Sequence, residues 1–275
     1  MEGESSWNSP WGPGRPDWNI QSSEMSMHDL NPSFDIHGGA RDLIFPNHET
    51  ETAQSCAACS VNNVRYWIHT DFFLNGNGSI ENGSTELHKS IGDFITIRKV
   101  LRLYHPLALR FFLIDTHYQS WVHYTSKELE NASDQVFNIY QALYNCEMTL
   151  SPFREKSFKD EITPSIQDCI RRFRNCFQSS MACDLHAYCV LNAIGTAMKT
   201  INIVLNSLKN NQQQPSLIQS LIALEKEVKD VLNILGLMSS STYSEVLKQL
   251  MDIEENWVDR GPSAAADSAK EFSEK

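Results

Sequence analysis

Phe34-Asp35-Ile36-His37-Gly38-Gly39-Ala40-Arg41-Asp42-Leu43-Ile44-Phe45-Pro46-Asn47-His48-Glu49-Thr50-Glu51-Thr52-Ala53-Gln54-Ser55 is the stretch on which the fold turns. It opens as a short strand, Ser33 to Ile36, that runs into Gly38-Gly39. Glycines at a strand end let a planar ligand approach the backbone with no Cβ in the way. Asp42 then stands where a carboxylate could take ribose hydroxyls. The plainer reading of the same residues is a strand, a turn and a solvated aspartate. Glu49 to Cys59 reads as a helix, and four-residue spacing puts Asn47 and Glu51 on one face. An apolar strand candidate, Val64-Arg65-Tyr66-Trp67-Ile68, follows, so that residues 17–70 alternate short strands with a helix.

Outward from this stretch, residues 1–16 are rich in Gly, Pro, Ser and Trp without periodicity and read as a loop or extended arm. Asn75-Gly76-Asn77-Gly78 and Asn82-Gly83-Ser84 mark a turn-rich segment. Beyond Asp93 the pattern is helical. Ile95, Ile97, Val100, Leu101 and Leu103 form an apolar stripe, and Pro106 opens the next helix where its missing N–H costs nothing. Thr125-Ser126-Lys127-Glu128 is a capping-box pattern at the head of a helix carrying Leu129, Ala132, Val136, Ile139, Tyr140 and Leu143. Further helices are expected at about 163–182, 184–209, 216–236 and 242–255. Leu191, Ile194, Met198, Ile201, Leu205 and Leu208 recur in steps of three and four, the seam of a bundled helix. Gly261 to Lys275 is polar, Ala/Ser-rich and expected to be disordered.

With 275 residues and 41% hydrophobic content, and with no run judged apolar enough to span a bilayer, the chain reads as one or two soluble domains without a membrane partner. The start Met1-Glu2-Gly3-Glu4-Ser5 has no basic leader and no Arg-rich amphipathic pattern, which makes a cytoplasmic location the expectation. Seven cysteines in such a chain are expected as reduced thiols. Cys56-x-x-Cys59 is the metal-like pair, though Ala57-Ala58 between them suits a packed helix equally. Cys169, Cys176, Cys183 and Cys189 fall within helical patterns as buried thiols. A net charge of −11 speaks against broad attraction to nucleic-acid phosphates, DNA included. Arg171, Arg172 and Arg174 form the tight basic cluster, either a phosphate contact or a solvated helix face.

Three blocks in order carry a family resemblance. Gly14-Arg15-Pro16-Asp17-Trp18-Asn19-Ile20-Gln21-Ser22-Ser23-Glu24-Met25, the Phe34–Ser55 stretch and Leu87-His88-Lys89-Ser90-Ile91-Gly92-Asp93-Phe94 together closely resemble the second half of a cysteinyl-tRNA synthetase, a class I aminoacyl-tRNA ligase, of the eukaryotic cytosolic type. The similarity runs from about Trp7 to about Ile253. It implies an α/β plus all-α architecture. Residues 1–124 would be the C-terminal half of a Rossmann-type catalytic domain, 125–257 a helical bundle of tRNA-binding type, and 258–275 a disordered tail.

The resemblance also implies a chemistry. Members activate cysteine with ATP and pass it to tRNA(Cys), and their active-site zinc takes the substrate thiolate directly, so that sulfur is accepted and a hydroxyl is not. The family's Trp-His-Ile-Glu-Cys block appears as Trp18-Asn19-Ile20-Gln21-Ser22. Trp18 thus falls in the substrate pocket, and Ser22 replaces a zinc-binding thiolate. The ligating histidine of the next block falls at Asn47, and the ligating carboxylate remains as Glu51. A further cysteine ligand belongs to the family's N-terminal half, so zinc is expected to be absent here. Gly38, Gly39 and Asp42 correspond to the nucleoside-binding segment, with Ala40 for the third glycine. The Lys-Met-Ser-Lys-Ser loop appears as Glu86-Leu87-His88-Lys89-Ser90, where Lys89 keeps the second lysine and Glu86 puts a negative charge where a cation would help.

The N-terminal His-Ile-Gly-His-type signature has no counterpart, leaving one half of the ATP site. These substitutions make a degenerate, truncated cysteine–tRNA ligase homologue, inactive as an isolated chain, the expectation. The alternatives are a non-catalytic paralogue binding tRNA or a protein, such as a full-length synthetase, and the product of a decayed gene copy.

Overall fold

The computed structural model describes residues 5–15, 17–31, 33–59, 64–71, 73–75, 96–154, 161–210 and 214–260, with the backbone alone for 73–75, 210 and 256–260. Two compact units emerge: Met1–Phe72 with Tyr118–Trp121, and Phe73–His117 with Val122–Lys275.

In the first unit a hairpin of β1 (Trp7–Ser9) and β2 (Gly12–Gly14) occupies the segment expected as an arm. The Ser9 hydroxyl donates to the Gly12 carbonyl (2.6 Å) and closes the turn, a contact that composition does not reveal. Helix α1 (Trp18–Leu30) starts at Asp17, whose side chain accepts from the Trp18 N–H (2.8 Å). Strand β3 (Phe34–Ala40) lies parallel to β4 (Val64–Thr70), with Ile36 opposite Tyr66, His37 opposite Trp67 and Gly39 opposite His69. The crossover between them holds two turns, Arg41–Leu43 and Ile44–His48, and then α2 (Glu49–Cys59), the helix expected over those residues. Helix α1 packs on α2. Among the described residues of this unit the buried side chains are Asn19, Ser23, His48 and Glu51, every one polar. A buried polar group is far more informative than an exposed apolar one, so this inventory points at a site.

The second unit carries the apolar core. Backbone strands β5 (Phe73–Asn75) and β6 (Val122–Tyr124) pair in parallel. Helix α3 (Ile97–Val100) is a single turn, so the stripe expected from Ile95 to Leu103 does not form one face: Val100 is buried while Ile97 and Leu101 are exposed. Helix α4 (Pro106–Ile114) opens on Pro106 as expected and buries Leu107, Phe111 and Phe112 against α5 (Ser126–Leu150). That packing assigns α3 and α4 to the helical unit rather than to the part before residue 124. Thr125 caps α5 by accepting from the Glu128 N–H (3.2 Å).

Helices α6 (Pro164–Ala182), α7 (Ala187–Asn210), α8 (Pro215–Ile234) and α9 (Tyr243–Arg260) complete the bundle. The α7 seam is buried from Leu191 through Leu205, with Leu208 packed against it. By length and composition Ala187–Lys209 is apolar enough to cross a membrane (hydropathy 1.3), contrary to the reading that no such run exists, yet its seam is spent on the bundle core. Gly236 follows α8 at φ 68°, the left-handed conformation that suits glycine at a helix end. A Cβ there would also lie 3.0 Å from Arg110 Nε, which donates to the Leu235 carbonyl (2.9 Å).

Cys183, expected buried, is exposed because α6 ends at Ala182 and leaves it at the cap. Helix α9 runs to Arg260, three residues into the expected tail. Residues 261–275, Lys89 with its neighbours Glu86 to Ser90, and the turn-rich segment beyond Asn75 lie outside the described residues.

Candidate metal centre

The strand register builds the first half of the site. His37 stacks on Trp67 across the β3–β4 pair, with ring centroids 4.5 Å apart and planes 20° from parallel. The turn after β3 then returns His48 against both rings, 4.8 Å from His37 and 5.0 Å from Trp67. His48 Nδ1 shares a 2.8 Å hydrogen bond with His69 Nε2. Gly39 makes this possible: a Cβ on it would lie 2.6 Å from His48 Cε1 and 2.9 Å from Nε2. The His48 imidazole therefore lies against Gly39. Gly38 is not constrained in this way, since its Cβ would meet the Ile68 carbonyl at an ordinary 3.6 Å.

Helix α2 supplies the other half. Glu51 sits in its first turn, where the helix dipole favours a carboxylate. It is 6% exposed, and its Oε2 has no hydrogen-bond partner. That oxygen is 3.5 Å from His37 Nε2. Burial pushes the Glu51 carboxyl above the usual carboxylate range, partly offset by a hydrogen bond from Ser22. Burial also holds the His37 imidazole below its ordinary value, and His48 likewise, with His37 and His69 adding to the effect on His48. One donor atom from each of His37, His48 and Glu51 lies within 4.8 Å of the other two. A cavity of ≈ 20 Å³, about the size of one water, is lined in part by His37, Glu51, Trp67 and Phe34.

The residues singled out in the sequence fall around this cluster. Ser22 is bonded to Glu51. Asn47 Nδ2 donates to Asn19 Oδ1 (2.8 Å), and Asn19 Nδ2 in turn donates to Asp17 Oδ2 (3.2 Å). Trp18, at the start of α1, is 51% exposed. Gly38 and Gly39 are near the end of β3, and Asp42 is exposed in the turn that follows. Cys56 and Cys59 are free thiols at the end of α2. The basic cluster is engaged in local ion pairs: Arg171 and Arg172 share Asp168, and Arg174 pairs with Glu227. Sequence reasoning passed over His37, His48 and His69. The three-residue step from His48 to Glu51 was the available signal, since it places both on one side of a helical turn.

Residues 1–134 match the family model described as tRNA synthetases class I (C) catalytic domain. The chain is 46% identical over 251 residues to the cysteine–tRNA ligase CPS1 homologue, chloroplastic/mitochondrial, of Oryza sativa subsp. japonica, covering 91% of this chain and 42% of that protein. It is a partial homologue of the class I cysteinyl-tRNA synthetases. A chloroplastic/mitochondrial cysteine–tRNA ligase of Arabidopsis thaliana is 48% identical, covering 91% of the chain and 43% of its own length. The chain thus spans less than half the length of these relatives. The fold is that of class I synthetases: the apo methionyl-tRNA synthetase of Mycobacterium tuberculosis superimposes with a TM-score of 0.55 at 12% identity, over 88% of this chain and 52% of its own.

Cysteinyl enzymes of this class use zinc, and the donor set decides whether the chain can hold it as the resemblance describes. At the corresponding positions Ser22, Asn47 and Glu51 offer a hydroxyl, an amide and a carboxylate. Asn47 donates through its amide nitrogen to Asn19, and neutral hydroxyl and amide oxygens bind zinc poorly. That set does not fit.

Proposed function

We propose that the chain is a cysteine–tRNA ligase homologue that is catalytically silent on its own and acts by binding tRNA(Cys), or a synthetase bound to it, through its helical unit. The observation that carries this is the pairing at the two substituted positions. Capture of a cysteine thiolate calls for a soft metal ion held by thiolate and imidazole. Ser22 and Asn47 supply neither, and the Asn47 amide nitrogen is turned to Asn19 instead. A ring of neutral and carboxylate oxygens gives no preference for a thiol over a hydroxyl.

The nucleoside segment supports a weaker remnant of ATP chemistry. On the resemblance, Asp42, which is exposed in the turn after β3, would take ribose hydroxyls. On the resemblance, Lys89 would face the phosphates with Glu86 opposing it. Losing one preorganised contact typically costs about 10²–10³ in rate, and several such losses place turnover below detection even when they do not add.

The test is cysteine-dependent ATP–pyrophosphate exchange by the purified chain, alongside fluorescence anisotropy with labelled tRNA(Cys). No exchange together with saturable tRNA binding is expected. Exchange by the wild type that disappears in Lys89→Ala would establish a working site and overturn the reading. Equal affinity for unrelated tRNAs would remove the specific partner.

A further inference from the structure

We infer that the groove between α6 and α7 binds an amphipathic monoanion, a medium-chain carboxylate whose chain lies along the two helices and whose head group meets Arg172. The inference goes beyond the silent-enzyme reading. It shares no residue with the substituted ligand positions or the nucleoside segment, so either reading can fail without the other.

Three observations carry it. The first is space. A cavity of ≈ 610 Å³ lies between the helices, a size that takes small organic ligands. Its floor is apolar, with Ile166 and Phe173 of α6 and Ala197 and Val204 of α7 all buried. Along α6 the wall runs from Ser165 to Cys176, about 17 Å of helix, which suits an extended chain better than a compact ring.

The second is charge. Among the described residues lining the cavity Arg172 alone is charged, and Arg171 and Arg172 share the single carboxylate of Asp168. Two cations on one anion leave a net positive charge beside an apolar floor. Arg172 pairs through Nε (3.0 Å), and a guanidinium has five N–H donors, so its fork has room for a second carboxylate. Arg172 is exposed, so a head group there keeps its water while the chain is buried, and no charge is desolvated.

The third is how the other polar groups of the wall are engaged. Thr196, Thr200 and Ser207 donate to the carbonyls of Asn192, Thr196 and Ile203 on their own helix, and Cys169 Sγ donates across the groove to Thr200 Oγ1 (3.8 Å). Their protons are committed within the protein, which leaves Arg172 as the strong donor for an acceptor head group. A cationic head is repelled there, and a neutral apolar molecule leaves the guanidinium unused.

The two thiols of the wall, Cys169 and Cys176, report occupancy without any mutation. The full chain is pulsed with N-ethylmaleimide, with and without dodecanoate below its micelle concentration, and each cysteine is read by mass spectrometry. At about ten times its dissociation constant dodecanoate should slow alkylation of Cys169 and Cys176 about tenfold by mass action, and leave the exposed Cys56 and Cys183 unchanged. Dodecylammonium should give no protection, and decanoate, two methylenes shorter, should bind about 15-fold more weakly. Vesicles of phosphatidylglycerol, which offer an anionic head only as a membrane surface, should not protect. Calorimetry should show dodecanoate weakened at least about tenfold by Arg172→Gln and unchanged by Arg174→Gln, whose guanidinium pairs with Glu227. No protection, equal slowing at Cys56 and Cys183, protection by dodecylammonium or by vesicles, no dependence on chain length, or full affinity in Arg172→Gln overturns the assignment.

Discussion

Glu51→Gln should stabilise the metal-free first unit, against the usual expectation for a substitution at a buried site. In the metal-free chain Glu51 keeps one bond, from Ser22, and Oε2 is buried with no donor toward it. An amide of the same shape retains an oxygen to accept from Ser22. It places an N–H at the Oε2 position, 3.5 Å from His37 Nε2, where a few tenths of an ångström complete a hydrogen bond to the neutral ring. Removing a buried unsatisfied polar atom is worth about 1–3 kcal/mol, which in local opening equilibria is about 5- to 150-fold slower amide exchange. Hydrogen-exchange mass spectrometry in EDTA near neutral pH, on peptides covering 34–40, 49–59 and 64–70, reads this directly. Equal or faster exchange in the variant in EDTA would refute the argument that Oε2 is a liability awaiting a partner.

Gly39→Ala should displace the His48 ring, since its Cβ would fall 2.6 Å from Cε1, and speed amide exchange across 34–40 and 64–70, whereas Gly38→Ala, meeting only a carbonyl at 3.6 Å, should leave it unchanged. Hydrogen-exchange mass spectrometry on the pair checks both. Tyr140→Phe should cost the helical unit about 1–3 kcal/mol in urea unfolding, because the buried hydroxyl donates to the Leu237 carbonyl (3.0 Å) and accepts from the Ser239 N–H (2.8 Å). Tyr188→Phe on an exposed face should change stability by no more than about 0.5 kcal/mol. His105 caps α4 by accepting the Leu107 N–H at Nδ1 (3.1 Å), and burial holds its imidazole below the ordinary value despite the bond to Gln249. The unfolded chain therefore binds the proton first as pH falls. Its contribution should be complete above about pH 6.5 and be lost progressively below it. Melting temperatures over that range should show a shallower acid loss in His105→Asn, which keeps an acceptor that does not titrate.

Much of the architecture was legible because local signals and packing agree. Glu49–Cys59, Pro106 and the Thr125 cap were read from turn chemistry and three-to-four spacing, and the α7 seam from its period. The stripe at Ile95–Leu103 failed because one helical turn cannot sustain a face, and tertiary packing turned Ile97 outward. The arm at 1–16 failed because a short hairpin closed at its turn by the Ser9 hydroxyl leaves no periodic signature. The site was half legible. Glu51 and its substituted neighbours followed from the family blocks, whereas the histidines are brought together by a parallel register, His37 opposite Trp67 and Gly39 opposite His69, and by a turn that folds His48 back onto Gly39. No spacing rule within one element encodes that convergence.

The way the substituted positions are satisfied bears on whether this is a decayed copy. A site that lost two ligands without constraint should leave several polar groups stranded where metal once met them. Instead Asn47, Asn19 and Asp17 form a continuous hydrogen-bonded chain, Ser22 is bonded to Glu51, and the Ser23 hydroxyl reaches Gln54 Oε1 at 2.7 Å. Among the described buried side-chain atoms, Glu51 Oε2 is the one left without a hydrogen-bond partner, and it lies beside His37. A partly satisfied network is worse than an apolar one, so the pairing of Asn47, Asn19, Asp17 and Ser23 around a single orphan is the pattern of a fold kept under constraint. That supports a paralogue whose fold has been kept, and it makes amide protection of 34–40 and 64–70, rather than aminoacylation, the measurement that separates retention from decay.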